Sequence, residues 1–209
     1  MTATSALGRG LDRLLDRSVV LGYTRIGPAL RRTWWPDDPA PGALSGRVVA
    51  ITGANSGLGK ATVLGAAMLG AEVRMLCRSV EKGEAAREEI LAVLPDAVIH
   101  VDRCDLSDLT GVAEVGRSLA AEVPKLHALV HNAGVLPPDR AETRDGHELT
   151  FATHVLGPHM LTDALRGPLA ADADGRVIFV VSGGMYTQKL PLDDPEYTRS
   201  AYSGTVAYA

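Results

Sequence analysis

Residues 47–60 read Arg-Val-Val-Ala-Ile-Thr-Gly-Ala-Asn-Ser-Gly-Leu-Gly-Lys. An apolar run of strand length passes at once into three glycines spaced G-x-x-x-G-x-G, and then into a helical pattern. A strand that turns directly into a helix points the helix N-terminus at the carboxyl edge of a sheet. Unpaired backbone N–H groups and the helix dipole there attract a pyrophosphate. In that geometry Gly53 permits the tight turn, Gly57 lets the backbone approach phosphate, and Gly59 lets the helix lie close to the strand. Asn55 and Ser56 add side-chain hydrogen bonds, and Leu58 completes the loop. The spacing departs from G-x-G-x-x-G, so the reading rests on the loop's place between a strand and a helix.

Outward from this turn, β-branched runs at residues 47–51, 72–77, 98–102, 127–131 and 176–181 alternate with amphipathic stretches. Ala86, Ile90, Val93 and Leu94 form the stripe of a helix lying on a sheet, and Leu109, Val112, Leu119 and Val123 form another. Residues 146–165 predict one long helix. Continuous apolar strands alternating with helices imply a parallel sheet covered on both faces. The expected fold is α/β, a doubly wound parallel sheet (Rossmann fold).

The 209 residues are 46% hydrophobic and 22% charged, the composition of a globular protein. A net charge of −4 argues against a general nucleic-acid surface. No apolar run approaches the ~18 residues of a spanning helix, and no signal peptide opens the chain. Two cysteines, Cys77 and Cys104, cannot build a disulfide scaffold, so a reducing cytoplasm fits best. Six histidines include no H-E-x-x-H pairing, and no metal site is expected. Residues 1–44 hold six Arg and four Asp, and Leu11, Leu14, Leu15 and Val19 share one helical face among the arginines. This extension reads either as a peripheral membrane or partner-binding helix (within residues 1–30) or as a helix packed on the body. Residues 45–209 form the expected dinucleotide-binding domain.

The end of the second strand selects the cofactor. An acid there would accept from a ribose 2′-hydroxyl and favour NAD. This chain has Cys77-Arg78-Ser79 instead, and a guanidinium suits a 2′-phosphate. NADP is therefore favoured over NAD, with Glu81 as a displaced ribose acid in the rival reading.

Five motifs in this order resemble the short-chain dehydrogenase/reductase family over residues 45–209. They are the glycine turn, Asp105-Leu106, His131-Asn132-Ala133-Gly134, Ser182-Gly183-Gly184 and Gly204-Thr205-Val206-Ala207-Tyr208. The wording of Cys77-Arg78 and Ser182–Met185 is closest to the retinol-dehydrogenase-like branch. The resemblance implies strand order 3-2-1-4-5 and an oxidoreductase passing hydride between NADP(H) and a carbonyl or alcohol, lipophilic by analogy. It implies that Asp105 accepts from the adenine amino group beside Leu106, and that Asn132, Ala133 and Gly134 line the cofactor. Asn132 would also tie the fourth strand to its neighbours. Ser182 would hydrogen-bond the substrate oxygen, and Tyr208 would exchange a proton with it.

Two departures stand out. The family places a Lys four residues beyond its Tyr to lower the phenol pKa, and the chain stops at Ala209. The family's last two strands are likewise absent from the pattern. The chain thus reads as truncated, its fifth strand an open edge, its oligomeric state open and its turnover low. A silent nucleotide-binding fragment is the alternative. The second departure is His154, where the family has an Asn holding a water in a proton relay. An imidazole either serves that relay in altered form or is a plain helix residue. Among rival tyrosines, Tyr186 has Lys189 only three residues on, and Tyr197 and Tyr202 have no Lys after them.

Overall fold

Val49, Ala50 and Ile51 are all at most 5% exposed, so the strand that carries them is enclosed on both faces. The computed structural model describes residues 6–17 and 24–209. Its sheet has five parallel strands: β1 (Val48–Thr52), β2 (Glu72–Cys77), β3 (Ile99–Arg103), β4 (Ala128–His131) and β5 (Arg176–Phe179). Their order is β3-β2-β1-β4-β5, the doubly wound order expected. Val49 stands opposite both Val73 and Ala128, and Ala128 opposite Arg176, so the strand ends align into one carboxyl edge.

Alternation along each strand sends side chains into two cores. Ile51, Val73, Met75 and Val130 pack with Val63 and Ala66 of α3 (Gly57–Met68) and with Ala86 and Ile90 of α4 (Val80–Leu91). Ala50, Leu76 and Leu129 pack on the other face with Val112 and Leu119 of α5 (Leu109–Glu122), with Leu161, and with Leu165. Each such fully buried aliphatic stabilises the fold by about 1.5–3 kcal/mol. Cys77 belongs to the first core and Cys104 to the second, so the sheet separates the two free thiols. Burial pushes them up to about 11 and about 12, respectively.

The helix expected over residues 146–165 begins later and is not uniform. Gly146 (φ 82°) closes a turn by donating to Thr143 O, and Glu148 caps the next helical turn by accepting from Thr150 N and Phe151 N. The helical run is α6 (Leu149–Phe151), a π turn (Ala152–Leu156) and α7 (Gly157–Ala164), continued by α8 (Arg166–Ala170). Strand β5 ends at Phe179 rather than residue 181 because its one partner among the described residues, β4, ends at His131, which stands opposite Phe179. Its four residues are all exposed along the sheet edge.

The described residues fall into two units, divided between Ala40 and Pro41. The first holds α1 (Ala6–Arg17) and α2 (Ile26–Arg31). Arg31, only 9% exposed, joins them by donating to Asp12 at 3.1 Å and Asp16 at 2.5 Å. Leu15 is buried, Leu11 and Leu14 are exposed, and Val19 lies outside the described residues. No helix among the described residues is long and apolar enough to cross a membrane.

Candidate active site

The end of β1 is tied to the end of β4 by one threonine. Thr52 Oγ1 accepts from Asn132 N at 3.0 Å and Ala133 N at 3.1 Å. The Asn132 amide donates back to Thr52 O at 3.1 Å and Gly53 O at 3.3 Å. Glycine is required where these segments meet. A Cβ on Gly53 (φ 63°) would stand 2.8 Å from Ala133 Cα, and one on Gly59 would stand 2.2 Å from Gly53 O. Gly57 differs: its φ is 52°, yet nothing lies within 4 Å of where its Cβ would be. The chain at Gly57 therefore opens onto free space.

Ser56 precedes α3 in an extended conformation and makes no side-chain cap. The neighbouring helices close their own ends: Ser79 accepts from Lys82 N at the start of α4, and Asp108 from Gly111 N at the start of α5. The first N–H groups of α3 are left without a side-chain acceptor, at the positive end of the helix dipole.

They face a cleft of about 610 Å³ along the carboxyl edge of the sheet. Asn55, Ser56, Gly57 and Leu58 line its middle. Arg78 and the Asp105–Ser107 turn lie toward the β2 and β3 ends, and Asn132–Leu136, Thr153 and Tyr208 toward β4 and beyond. Arg78 is exposed and, among the described residues, makes no ion pair. Glu81 is engaged elsewhere: its own backbone N–H and the Ser79 hydroxyl hold its carboxyl below the usual range. Asp105 Oδ1 accepts from the Ser107 backbone and hydroxyl at 3.0 and 2.7 Å. Leu106 is 4% exposed and also packs into the second core, with Gly157 backed onto its carbonyl.

His154 sits on the π turn, and its Nε2 accepts from Val135 N at 2.9 Å. Burial lowers its pKa, so the ring is neutral with its proton on Nδ1. Its edge meets Tyr208, the last residue of α9 (Gly204–Tyr208), with centroids 5.3 Å apart at 81°. Gly134 lies against the same imidazole. Tyr208 lines the cleft and also a second cavity of about 430 Å³ beside it. Phe151, Val155, Met185, Leu190 and Val206 give that cavity apolar walls, with Lys189 at its margin.

Ser182 is placed differently. Its Oγ accepts from Gly184 N at 3.1 Å, opening a 3₁₀ turn (Gly183–Thr187), and it lines neither cavity. Gly184 reaches toward Ala209, so this turn and the end of α9 are neighbours. Two rival tyrosines are spent on structure. The Tyr202 hydroxyl lies 3.2 Å from Thr150 Oγ1, and Tyr197 packs edge-on against Tyr202. Sequence reasoning overlooked Thr52, Thr153 and the lining residues Ser107, Val135 and Leu136. Thr52 hid in the apolar run of β1, where its only signal is a hydroxyl at a strand end.

Known proteins share both the sequence and the fold. The model of the short chain dehydrogenase family matches residues 47–192. The chain is 39% identical over 188 residues to dehydrogenase/reductase SDR family member 12 of Bos taurus, covering 90% of this chain and 59% of that protein. It is 38% identical over 165 residues to retinol dehydrogenase 12 of Homo sapiens, covering 79% and 52%. The chain thus spans about half the length of the curated relatives it matches. A crystal structure of an uncharacterized protein from Mycobacterium Paratuberculosis superposes with a TM-score of 0.66 at 32% identity, covering 82% of this chain and 60% of that one. A metagenomic short-chain oxidoreductase solved in complex with NADP gives 0.60 at 29%, covering 68% and 64%. The chain belongs to the short chain dehydrogenase family.

Proposed function

We propose that this cleft binds NADP(H) and serves an oxidoreductase that moves hydride between the nicotinamide and a carbonyl or alcohol carbon. The observation that carries the reading is the uncapped tip of α3, open at Gly57 onto a cleft of about 610 Å³. The donor set fits such a group. Backbone N–H groups of residues 57–59 would hold the pyrophosphate, and Arg78, with Glu81 already engaged, would pair with a 2′-phosphate. Asp105 would accept from the adenine amino group, and Asn132, Ala133 and Gly134 would line the ribose side. Two solved relatives, at 27% and 29% identity, are described with NADP bound, which supports NADP over NAD.

When bound, the nicotinamide supplies or accepts the hydride. The protein's part is proton placement. Tyr208 is the hydroxyl at the junction of the cleft and the apolar cavity, where a reacting oxygen would sit. Ser182 keeps a free O–H after accepting from Gly184 N but lines neither cavity, so its part as a second donor to that oxygen rests on the family resemblance alone. His154 is a positioning residue: Nε2 is pinned, and only Nδ1–H can enter a relay. The apolar cavity and the names of the retinol dehydrogenase relatives support a lipophilic carbonyl or alcohol. A catalytically silent fragment draws no comparable support.

Calorimetric titration with NADPH, followed by NADPH oxidation with a lipophilic aldehyde on the same sample, tests the reading. Submillimolar binding is expected, and a folded chain with no affinity for NADPH or NADH refutes it.

A second reading concerns residues 1–44. Arg31 absorbs both acids of α1, while Arg13, Arg17, Arg25 and Arg32 are exposed, as are Leu14, Ile26 and Leu30. That surface suits peripheral contact with anionic lipid.

A further inference from the structure

Thr153 is 6% exposed, lines the cleft, and its Oγ1 has no hydrogen-bond partner. Among the described residues one other buried side-chain atom shares that condition, Nδ1 of His131, and His131 does not line the cleft. A helical threonine ordinarily returns its hydroxyl to a carbonyl one turn back. Thr62 does so in α3, donating to Leu58 O at 2.8 Å. Thr153 lies in the π turn, where the backbone ladder is re-registered, and makes no such bond. A hydroxyl taken out of water and given no partner destabilises the fold, so an alcohol here is a cost unless something binds it. Single π turns inside helices occur often at functional sites.

The helical run that carries Thr153 touches both turns that frame the cleft. Gly157, one turn on, abuts Leu106, and His154, the next residue, holds Val135 and lies against Gly134. Thr153 therefore stands between the Asp105 side and the Asn132 side. The polar groups of a dinucleotide that reach such a position are ribose hydroxyls and phosphate oxygens.

We propose that Thr153 Oγ1 is a ligand-binding atom that turns about χ1 from its solvent-excluded position to hydrogen-bond a ribose or phosphate oxygen of the dinucleotide in this cleft. The proposal rests on the dinucleotide reading above and adds to it a residue that the glycine turn and the strand-end motifs do not reveal.

Two variants of the 209-residue chain test it, Thr153→Val and Thr153→Ser. Valine matches threonine in shape and lacks the hydroxyl, whereas serine keeps the hydroxyl. Without nucleotide, Thr153→Val is expected to melt at or above the wild-type temperature, because it removes an unsatisfied buried group. Calorimetric titration of the same protein should show NADPH binding weakened roughly 3- to 10-fold, with Thr153→Ser within about twofold of wild type. A parallel titration with 2′,5′-ADP locates the partner. Equal weakening assigns it to the adenosine half, and weakening of NADPH alone assigns it to the nicotinamide half. Unchanged NADPH affinity in Thr153→Val overturns the proposal. A lower melting temperature for that variant also overturns it, since the hydroxyl would then support the fold. A wild-type chain that binds neither nucleotide refutes the dinucleotide reading itself.

Discussion

Gly59→Ala puts a methyl group where α3, the turn after β1 and the loop after β4 converge. The new Cβ would stand 2.2 Å from Gly53 O and 2.5 Å from Asn132 Nδ2, both well inside van der Waals contact. Either α3 retreats from the turn or the Asn132 amide is displaced from Thr52 O and Gly53 O. Overpacking of this kind costs about 1–3 kcal/mol, and each of the two lost hydrogen bonds about 1 kcal/mol. The better helix propensity of alanine returns up to about 1 kcal/mol, so we expect a net loss of about 2–4 kcal/mol. In a domain of this size that lowers the melting temperature by roughly 5–15 °C, read by scanning calorimetry. NADPH affinity, read by titration, should fall at least about tenfold as the first N–H groups of α3 shift. Gly57→Ala is the control, since its Cβ meets nothing and only the backbone at φ 52° is strained, by about 1–2 kcal/mol. That variant should stay folded yet lose NADPH, because the methyl enters the space reserved for phosphate. Wild-type melting and wild-type NADPH affinity in Gly59→Ala would refute the account of the cradle.

Three further outcomes are expected. Arg78→Ala should weaken NADPH binding about 10- to 100-fold and leave NADH unchanged, and an equal loss for both nucleotides would remove Arg78 from 2′-phosphate recognition. His131, which stacks on Phe179 and lies 2.8 Å from Thr162 Oγ1, is pushed down to about 4 by burial. Its folded pKa is below the unfolded value near 6.5, so its contribution is present above pH ~6.5 and is lost as pH falls toward 4, about 3 kcal/mol in all. Denaturant titrations of wild type and His131→Asn across that window should show a shallower acid slope in the variant, and identical slopes would contradict the assignment. Vesicles containing phosphatidylserine should sediment the full chain but not a chain lacking residues 1–30, more weakly as salt rises, whereas equal sedimentation would exclude the N-terminal helices as the contact.

Local pattern carried much of this molecule. The β-branched runs, the stripes of α4 and α5 and the glycine turn are written in residues a few positions apart, which is the range over which strand and helix periodicity and φ preferences act. The parallel sheet followed from the alternation of these elements, and the family, with its strand order, followed from five short motifs in sequence order. The helix expected over residues 146–165 was misjudged for a local reason as well: apolar spacing does not register a left-handed turn at Gly146, a carboxylate cap at Glu148, or a π turn.

Only the folded chain decides the rest. Thr52 and Asn132 meet across 80 residues of sequence, and although the motif at Asn132 implies a tie to a neighbouring strand, nothing in it names Thr52 as the partner. The protonation of His154 follows from one amide, Val135 N, brought to it by the loop after β4. The direction of Ser182 follows from a 3₁₀ turn at the sheet edge, and the unpartnered hydroxyl of Thr153 from a shift in helical register. Periodicity tells which side of an element is buried. Which polar atoms find partners there depends on distances of about 3 Å between segments remote in sequence, and those distances exist only after the two cores have closed around the sheet.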